Sequence, residues 1–309
     1  MTNISIANTE SKNHNWQKTR KKLVPFAYLS PTIALLTVLS LIPIAIVFYY
    51  SLMDNVIITR DAPSFVGISN YVDIITDSVF LEALSNTLFL TIVSVVAHLI
   101  IGLAFAMLLN TEVISPMTRA LFRVVYILPW VFTASIIAIL WRLMLNPNGI
   151  INYLLMWSNL VSHQIEWLGS REVALYAVTF INIWAGYPFY MVSLLAGLQG
   201  ISKDLYEAGT IDGASRIQLF RYITLPQLKP IILSLAMLDF IWTTHQFTLI
   251  WMTTGGGPIR STEVLSTFTY KLAFSSYKFS LASANAFIIL TLSIVVALFY
   301  VRNQKATGE

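Results

Sequence analysis

Hydrophobic residues fall into six long runs separated by polar stretches: Phe26 to Leu52, Leu84 to Leu109, Leu121 to Leu145, Val173 to Leu195, Ile231 to Trp251 and Ala284 to Val301. Each run approaches or exceeds the roughly 20 residues needed to cross a bilayer core as a helix. The pattern therefore predicts an all-α integral membrane protein with six transmembrane helices. The first run follows a basic stretch (Lys18, Arg20, Lys21, Lys22) but is much longer than the apolar part of a signal peptide. It also lacks a small-x-small cleavage site, so it reads as an uncleaved first span. Residues 1–25 are then a basic tail, 26–301 the transmembrane domain and 302–309 a second short tail.

Composition strengthens this reading. Hydrophobic residues make up 56% of the chain and charged residues 11%, against about 25% charged in an ordinary soluble domain, and the mean hydropathy is +0.70. Cysteine is absent, which excludes disulfides, a thiol nucleophile and a thiolate metal site. No catalytic residue and no metal-ligand set is read from the chain.

Charge placement orients the spans. With the N-terminus inside, Lys12, Lys18, Arg20, Lys21, Lys22, Arg119, Arg123, Lys203, Arg216, Arg221, Lys229, Arg302 and Lys305 belong to the cytoplasmic side. Arg60, Arg142, Arg171, Arg260, Lys271 and Lys278 belong outside, so the positive-inside rule favours both ends in the cytoplasm. The excess basic charge is thus a matter of topology, and no nucleic-acid partner is expected. The outer segments between spans one and two, and from Asn146 to Gly169, read as short helical pieces able to meet an extracytoplasmic partner.

The loop 199–230 is more polar than its surroundings and carries two helix-start signals. Ser202 can cap a helix through Gly209, which Gly213 is placed to stop. Ser215 with Gln218 has the form of a capping box that opens a second helix through Arg221 or Tyr222, before Pro226 and Pro230. A cytoplasmic helix-turn-helix results. Either it lies on the headgroups through Arg216, Arg221 and Lys229, or the narrow ridge of Leu205, Ala208 and Gly209 beside Asp204, Glu207 and Asp212 inserts into another protein's groove.

Glu207, Ala208, Gly209, Gly213, Ile223, Leu225 and Pro226 resemble the EAA loop of the permease subunits of binding-protein-dependent ABC importers. The match includes three residues between the two glycines and nine between Gly213 and Ile223. Gly209 stands where that family usually has a second alanine. Over nearly the whole chain the likeness is to the carbohydrate branch, the maltose-type and glycerol-phosphate-type permeases. It is carried by FVGISNY (65–71), Phe122, Arg123, Leu128, Pro129, Trp130, the Asn-Pro-x-Gly turn, AGLQGI (196–201) and TTGGGP (253–258).

The resemblance implies a multi-pass subunit of a prokaryotic cytoplasmic membrane. Its partners would be a second homologous permease subunit, two copies of an ABC ATPase and an extracytoplasmic sugar-binding protein. Leu205, Glu207, Ala208, Gly209, Asp212, Gly213, Ile223, Leu225 and Pro226 would couple it to that ATPase. ATP and Mg would be bound by the ATPase, since this chain has no G-x-x-x-x-G-K-[ST] sequence, and no cofactor of its own is expected.

Polar residues inside the spans point to a substrate path. Span four carries Asn182, Gly186 and Phe189 at helical spacing, with Trp184 and Tyr187 nearby. Span five carries Asp239, Trp242 or Thr243, and Gln246. Such groups can hydrogen-bond vicinal hydroxyls while aromatic faces cover a sugar ring, which suits an oligosaccharide or polyol. The plainer reading is that Asn182 and Gln246 link helices and Gly186 permits close packing. Asp239 needs a partner; His245 is a candidate for that partner or for a gating residue, although it points away from the stripe, and His98 reads as a packed polar residue. Gly255, Gly256, Gly257 and Pro258 form a flexible reversal, either a simple turn or a docking or gating loop for the binding protein. Two further readings are weighed. An ion-coupled carrier leaves loop 199–230 unexplained, and for a membrane enzyme Asp239, His245 and His98 are too sparse.

Overall fold

A computed structural model describes residues 24, 27–54, 56, 62–111 and 113–307. The N-terminal tail apart from Val24, together with Arg60, Asp61, Gly308 and Glu309, lies outside the described residues, as do the side chains after Arg302. Five of its helices are long and apolar enough to cross a membrane, and a bent pair makes a sixth span.

The first span, α1 (Ala27–Ser51), contains a π-helical turn at Thr37–Leu41 and buries no apolar side chain, so its surface is left for lipid or a partner. Its outer end is held by the FVGISNY segment. There β1 (Met53–Asp54) pairs antiparallel with β2 (Ser64–Phe65). In α2 (Ser69–Thr76) the buried Asn70 donates from Nδ2 to the carbonyls of Ser51 and Met53, both at 2.9 Å. These bonds occupy carbonyls near a helix end that would otherwise lack partners.

The second span, α3 (Ser78–Asn110), starts where the Asp77 carboxylate accepts from the Val79 N–H at 2.8 Å. The third departs from the straight helix that the run Leu121 to Leu145 predicts. It is α4 (Pro116–Val131) followed by α5 (Ala134–Met144), bent by 97°. Pro129 inside α4 removes a backbone donor, and Thr133 restarts the chain by accepting from the Ile136 N–H. Beyond it, α6 (Ile150–Trp157) is anchored by the buried Asn152. This side chain donates to the Ile165 carbonyl at 2.9 Å and accepts from the Ile165 N–H at 3.1 Å.

The fourth span, α7 (Ala174–Gln199), is the centre of the molecule, with Ile181, Tyr190, Met191 and Leu194 fully buried. It packs along α3 because Gly102 brings the backbones together: a Cβ there would fall on Tyr190 Cβ and 2.9 Å from the Met191 nitrogen. After the short α8 (Lys203–Ile211), the chain enters α9 (Arg216–Thr244). The second helix of loop 199–230 does not stop at Arg221 or Tyr222. It runs through a π-helical turn at Phe220–Thr224 directly into span five. Pro226 falls just past that turn, where the i→i−4 register is already interrupted.

Span five in turn breaks sooner than the run Ile231 to Trp251 predicts, at His245–Phe247, and resumes as α10 (Thr248–Thr253). After α11 (Leu265–Tyr270), the last span α12 (Phe279–Thr307) sets Phe287 at a tilt against Phe48 of α1, with ring centroids 4.8 Å apart. It also brings Tyr300 to Ser234 of α9. Its helix continues past Val301 into the expected C-terminal tail.

Gly102→Val should cost about 1–3 kcal/mol by overpacking the α3–α7 contact, read as a lower thermal midpoint of the purified protein in detergent. Gly200→Ala, whose nearest neighbour would be an ordinary 3.4 Å away, should leave the midpoint unchanged.

Candidate functional site

The bend of the third span and the break after α9 face each other across a cavity of about 260 Å³. Pro129, Trp130 and Phe132 line it from the bend, Asn182 and Gly186 from α7, and Asp239, Trp242 and Thr243 from α9. Gln246 from the break and His98 from α3 complete the wall. The 3.6-residue period puts Asn182 with Gly186, and Asp239 with Thr243, on single helix faces.

The polar side chains form one network. Asp239 Oδ2 lies 2.8 Å from His98 Nδ1, and its Oδ1 accepts from Thr243 Oγ1 at 3.0 Å. His98 Nε2 lies 3.1 Å from the Asn182 carbonyl oxygen. The Asn182 side chain donates to Ser94 Oγ at 2.9 Å and accepts from Gln246 Nε2 at 3.3 Å. Asp239 and Asn182 are buried to within a few per cent, so their polar atoms depend on these partners. Behind the wall Phe189 stacks on Trp130 with ring centroids 6.0 Å apart and meets Trp242 at a tilt at 5.4 Å.

Several readings are corrected by this geometry. The partner of Asp239 is His98, while His245 turns away to Ser293 Oγ at 2.9 Å. His98 is part of the cavity wall, in contact with Gly186. Trp184 does not reach the cavity and packs edge-on against Trp141 at 5.4 Å. Tyr187 is buried elsewhere, donating to the Tyr126 carbonyl at 3.1 Å. Phe189 backs the wall rather than lining it. The contributions of Pro129, Trp130, Phe132 and His98 were missed. A proline inside an apolar run, next to tryptophan, was the one signal for the first three.

Around loop 199–230, α8 ends in a Schellman motif. The Ala214 N–H bonds the Gly209 carbonyl at 2.9 Å, the Gly213 N–H bonds Thr210 at 3.0 Å, and Gly213 takes φ +79°. The Ser215–Gln218 capping box is formed. Gly209 has a packing reason, since a Cβ there would lie 2.7 Å from Leu219 Cδ2. The missing methyl lets α8 seat on the start of α9, where Tyr206 and Thr224 hydroxyls meet at 2.9 Å. The far side is apolar and open: Leu205, Ile211, Ile217 and Tyr222 are all exposed, Ile211 to 86%. Glu207 is exposed as well and borders a separate cavity of about 700 Å³ with Arg119 and Lys203.

The TTGGGP reversal is tied down rather than flexible. Thr254 and Thr262 hydroxyls meet at 2.7 Å, Thr262 bonds the Gly257 carbonyl at 2.7 Å, and the Gly257–Pro258 peptide is cis. Beneath it Lys271 pairs with Glu263, which is 1% exposed. Gly256, at φ +87°, lies directly over that pair, so a Cβ would come 2.6 Å from Glu263 Oε2 and 2.8 Å from Lys271 Nζ. Among the described residues no group of three or more metal-ligating side chains occurs.

The family described as binding-protein-dependent transport system inner membrane component matches residues 98–308. The trehalose/maltose transport system permease protein of Thermococcus litoralis is 32% identical over 92% of this chain and 95% of its own length. The sulfoquinovosyl glycerol transport system permease protein of Agrobacterium fabrum is 30% identical over 93% of this chain and 92% of its own length. Among solved structures, a bacterial ABC transporter involved in import of the acidic polysaccharide alginate shares the fold. Its TM-score is 0.81 at 24% identity, covering 96% of this chain and 100% of that one.

Gly256→Ala should force Glu263 and Lys271 apart and strain the backbone, at a cost of about 1–3 kcal/mol. The expected outcome is faster limited proteolysis within residues 253–278 at unchanged cleavage elsewhere.

Proposed function

The chain belongs to the family of binding-protein-dependent transport system inner membrane components, and from that premise we propose that it passes a sugar across the cytoplasmic membrane as one permease subunit of an ATP-driven importer. The observation that carries this reading is the membrane-buried cavity. Its lining combines amide, carboxyl and hydroxyl groups (Asn182, Gln246, Asp239, Thr243) with the indoles of Trp130 and Trp242. Hydroxyl-rich ligands need many directional hydrogen bonds, and the apolar faces of their rings need aromatic cover. The relatives named for trehalose/maltose and sulfoquinovosyl glycerol support a sugar-based ligand, neutral in the first case and sulfonated in the second. The ion-coupled carrier weighed from sequence is set aside by the family.

The energy source is separate in this reading. With no phosphate-binding loop in the chain, ATP and Mg belong to two copies of a partner ATPase, and a second permease subunit completes the pathway. The exposed ridge of α8, with Leu205, Glu207, Ala208, Ile211 and Asp212, docks into the ATPase. Gly213 and the capping box hold its shape. Because α9 begins beside α8 and ends at Asp239 and Thr243, closure of the ATPase displaces the cavity wall itself and opens it to the other side. On the outer face, the tied-down loop at Gly255, Gly256, Gly257 and Pro258 is the surface that meets the sugar-loaded binding protein.

Glu207→Lys should abolish transport and detach the ATPase. Gly213→Asp should do the same by removing the residue that adopts positive φ most easily, while both variants stay in the membrane. Co-purification of the ATPase with either variant at normal yield would sink the coupling proposal. Asp239→Ala and Gln246→Ala should each weaken sugar-stimulated uptake by tenfold or so, a typical cost of about 1.4 kcal/mol for a lost polar contact, without affecting assembly. Unchanged substrate dependence in both would remove them from the site.

A further inference from the structure

His98 comes from α3, outside the two spans that carry the polar stripes, yet it lines the cavity at 2% exposure. Its imidazole is fixed on three sides. Nδ1 faces Asp239 Oδ2 at 2.8 Å, Nε2 faces the Asn182 carbonyl oxygen at 3.1 Å, and Gly186 provides the space the ring fills. A side chain at 186 would fall on Cε1 and Nε2.

These partners dictate the proton count. A carbonyl oxygen only accepts, so Nε2 carries a hydrogen. Nδ1 and Oδ2 at hydrogen-bond distance need one more proton between them, since two lone pairs repel at that separation. If the proton sits on nitrogen, the pair is imidazolium and carboxylate; if on oxygen, it is imidazole and carboxylic acid. The net charge is zero in either arrangement. The second carboxyl oxygen is engaged by Thr243. Among the described residues that line the cavity, no lysine or arginine is present, so His98 alone can balance Asp239.

We propose that His98 is a positioning residue of the cavity that shares one proton with Asp239 and so keeps the pair neutral, and that the two together select an uncharged sugar or polyol over a sugar acid. The wall then offers hydrogen bonds without net charge. A uronate entering it leaves water and meets no lysine or arginine among the described residues that line it. The proposal rests on the sugar-import reading and narrows its ligand class.

The charge-balance idea makes an asymmetric prediction. His98→Gln leaves the Asp239 carboxyl without the group that shares its proton, whereas adding Asp239→Asn makes that position neutral whatever faces it. The test uses the complete complex with its ATPase and binding protein, reconstituted in liposomes. Uptake is measured with neutral disaccharides of the glucose and galactose series. His98→Gln should lower uptake about tenfold or more, and the double variant His98→Gln/Asp239→Asn should regain at least about threefold of that loss, differences of roughly 1.4 and 0.7 kcal/mol. Calorimetric titration of the purified complex without binding protein should find the matched uronate bound about tenfold more weakly than the neutral sugar.

A purely packing role for His98 gives no recovery in the double variant, because a second substitution only adds damage. That result at wild-type expression overturns the proposal. So does a uronate that binds as tightly as its neutral counterpart, or His98→Gln uptake within twofold of wild type. A wild-type complex that neither transports nor binds any sugar of either class overturns the import reading and this inference with it. Wild-type uptake without rescue overturns the charge-balance pair alone.

Discussion

A carboxylate inside a bilayer cannot be left to water, and the arrangement of the three central spans follows from that constraint. Asp239 on α9 is answered by His98 on α3, and His98 is in turn held by the backbone of α7 at Asn182. Three helices are thereby joined through one imidazole. Glycines make the joint possible, since Gly186 admits the ring and Gly102 brings α3 against α7 one turn further along. Apolar packing alone gives little reason for helices to choose one register in lipid, where tails are as apolar as leucine. A buried polar bridge supplies that choice.

How much of this was legible follows from which signals are local. Spans one, two, four and six were readable because length and hydropathy decide them, and the cytoplasmic helix-turn-helix because capping is local. Ser202, Gly213 and the Ser215–Gln218 pair act within a few residues of themselves. The breaks were not readable in the same way. Thr244-His245-Gln246-Phe247 contains neither proline nor glycine, yet α9 ends there. What stabilises the break is distant in sequence: Ser266 donates to the Gln246 carbonyl at 2.7 Å, and Gln246 donates to Asn182. In the third span Pro129 was visible, but a proline bends a helix by amounts that depend on what it packs against. The 97° turn is a tertiary outcome.

The site shows the same division. Periodicity placed Asn182, Gly186, Asp239 and Thr243 on inward faces, since 3.6 residues per turn is a property of each helix alone. It failed where a residue's neighbours come from another span. Trp184 and Tyr187 share the α7 surface with Asn182 but meet Trp141 and Tyr126 instead of the cavity. His98 sits on a run with no other strong polar signal, and nothing within α3 announces that Asp239 lies opposite. The identity of a carboxylate's partner is a pairwise fact, inaccessible to any single helix pattern.

The continuity of α9 gives these parts a mechanical relation. Arg216 to Thr244 is 29 residues of unbroken helix, about 43 Å at 1.5 Å per residue. It begins against α8 through Gly209 and Leu219, and ends at the cavity through Asp239 and Thr243. Had the second helix of the loop been separate, as its capping box and the two prolines suggest, motion of α8 would have been lost in a hinge at Pro226. The π turn at Phe220–Thr224 instead lets the helix continue past Pro226 without a gap. One continuous helix, with Pro230 inside it, thus joins the α8 contact to Asp239 and to the network that His98 holds on α3. Gly209 belongs to the same argument. An alanine there would favour the helix by about 1 kcal/mol but would lift α8 off Leu219, trading local helix stability against a close seat on the rod.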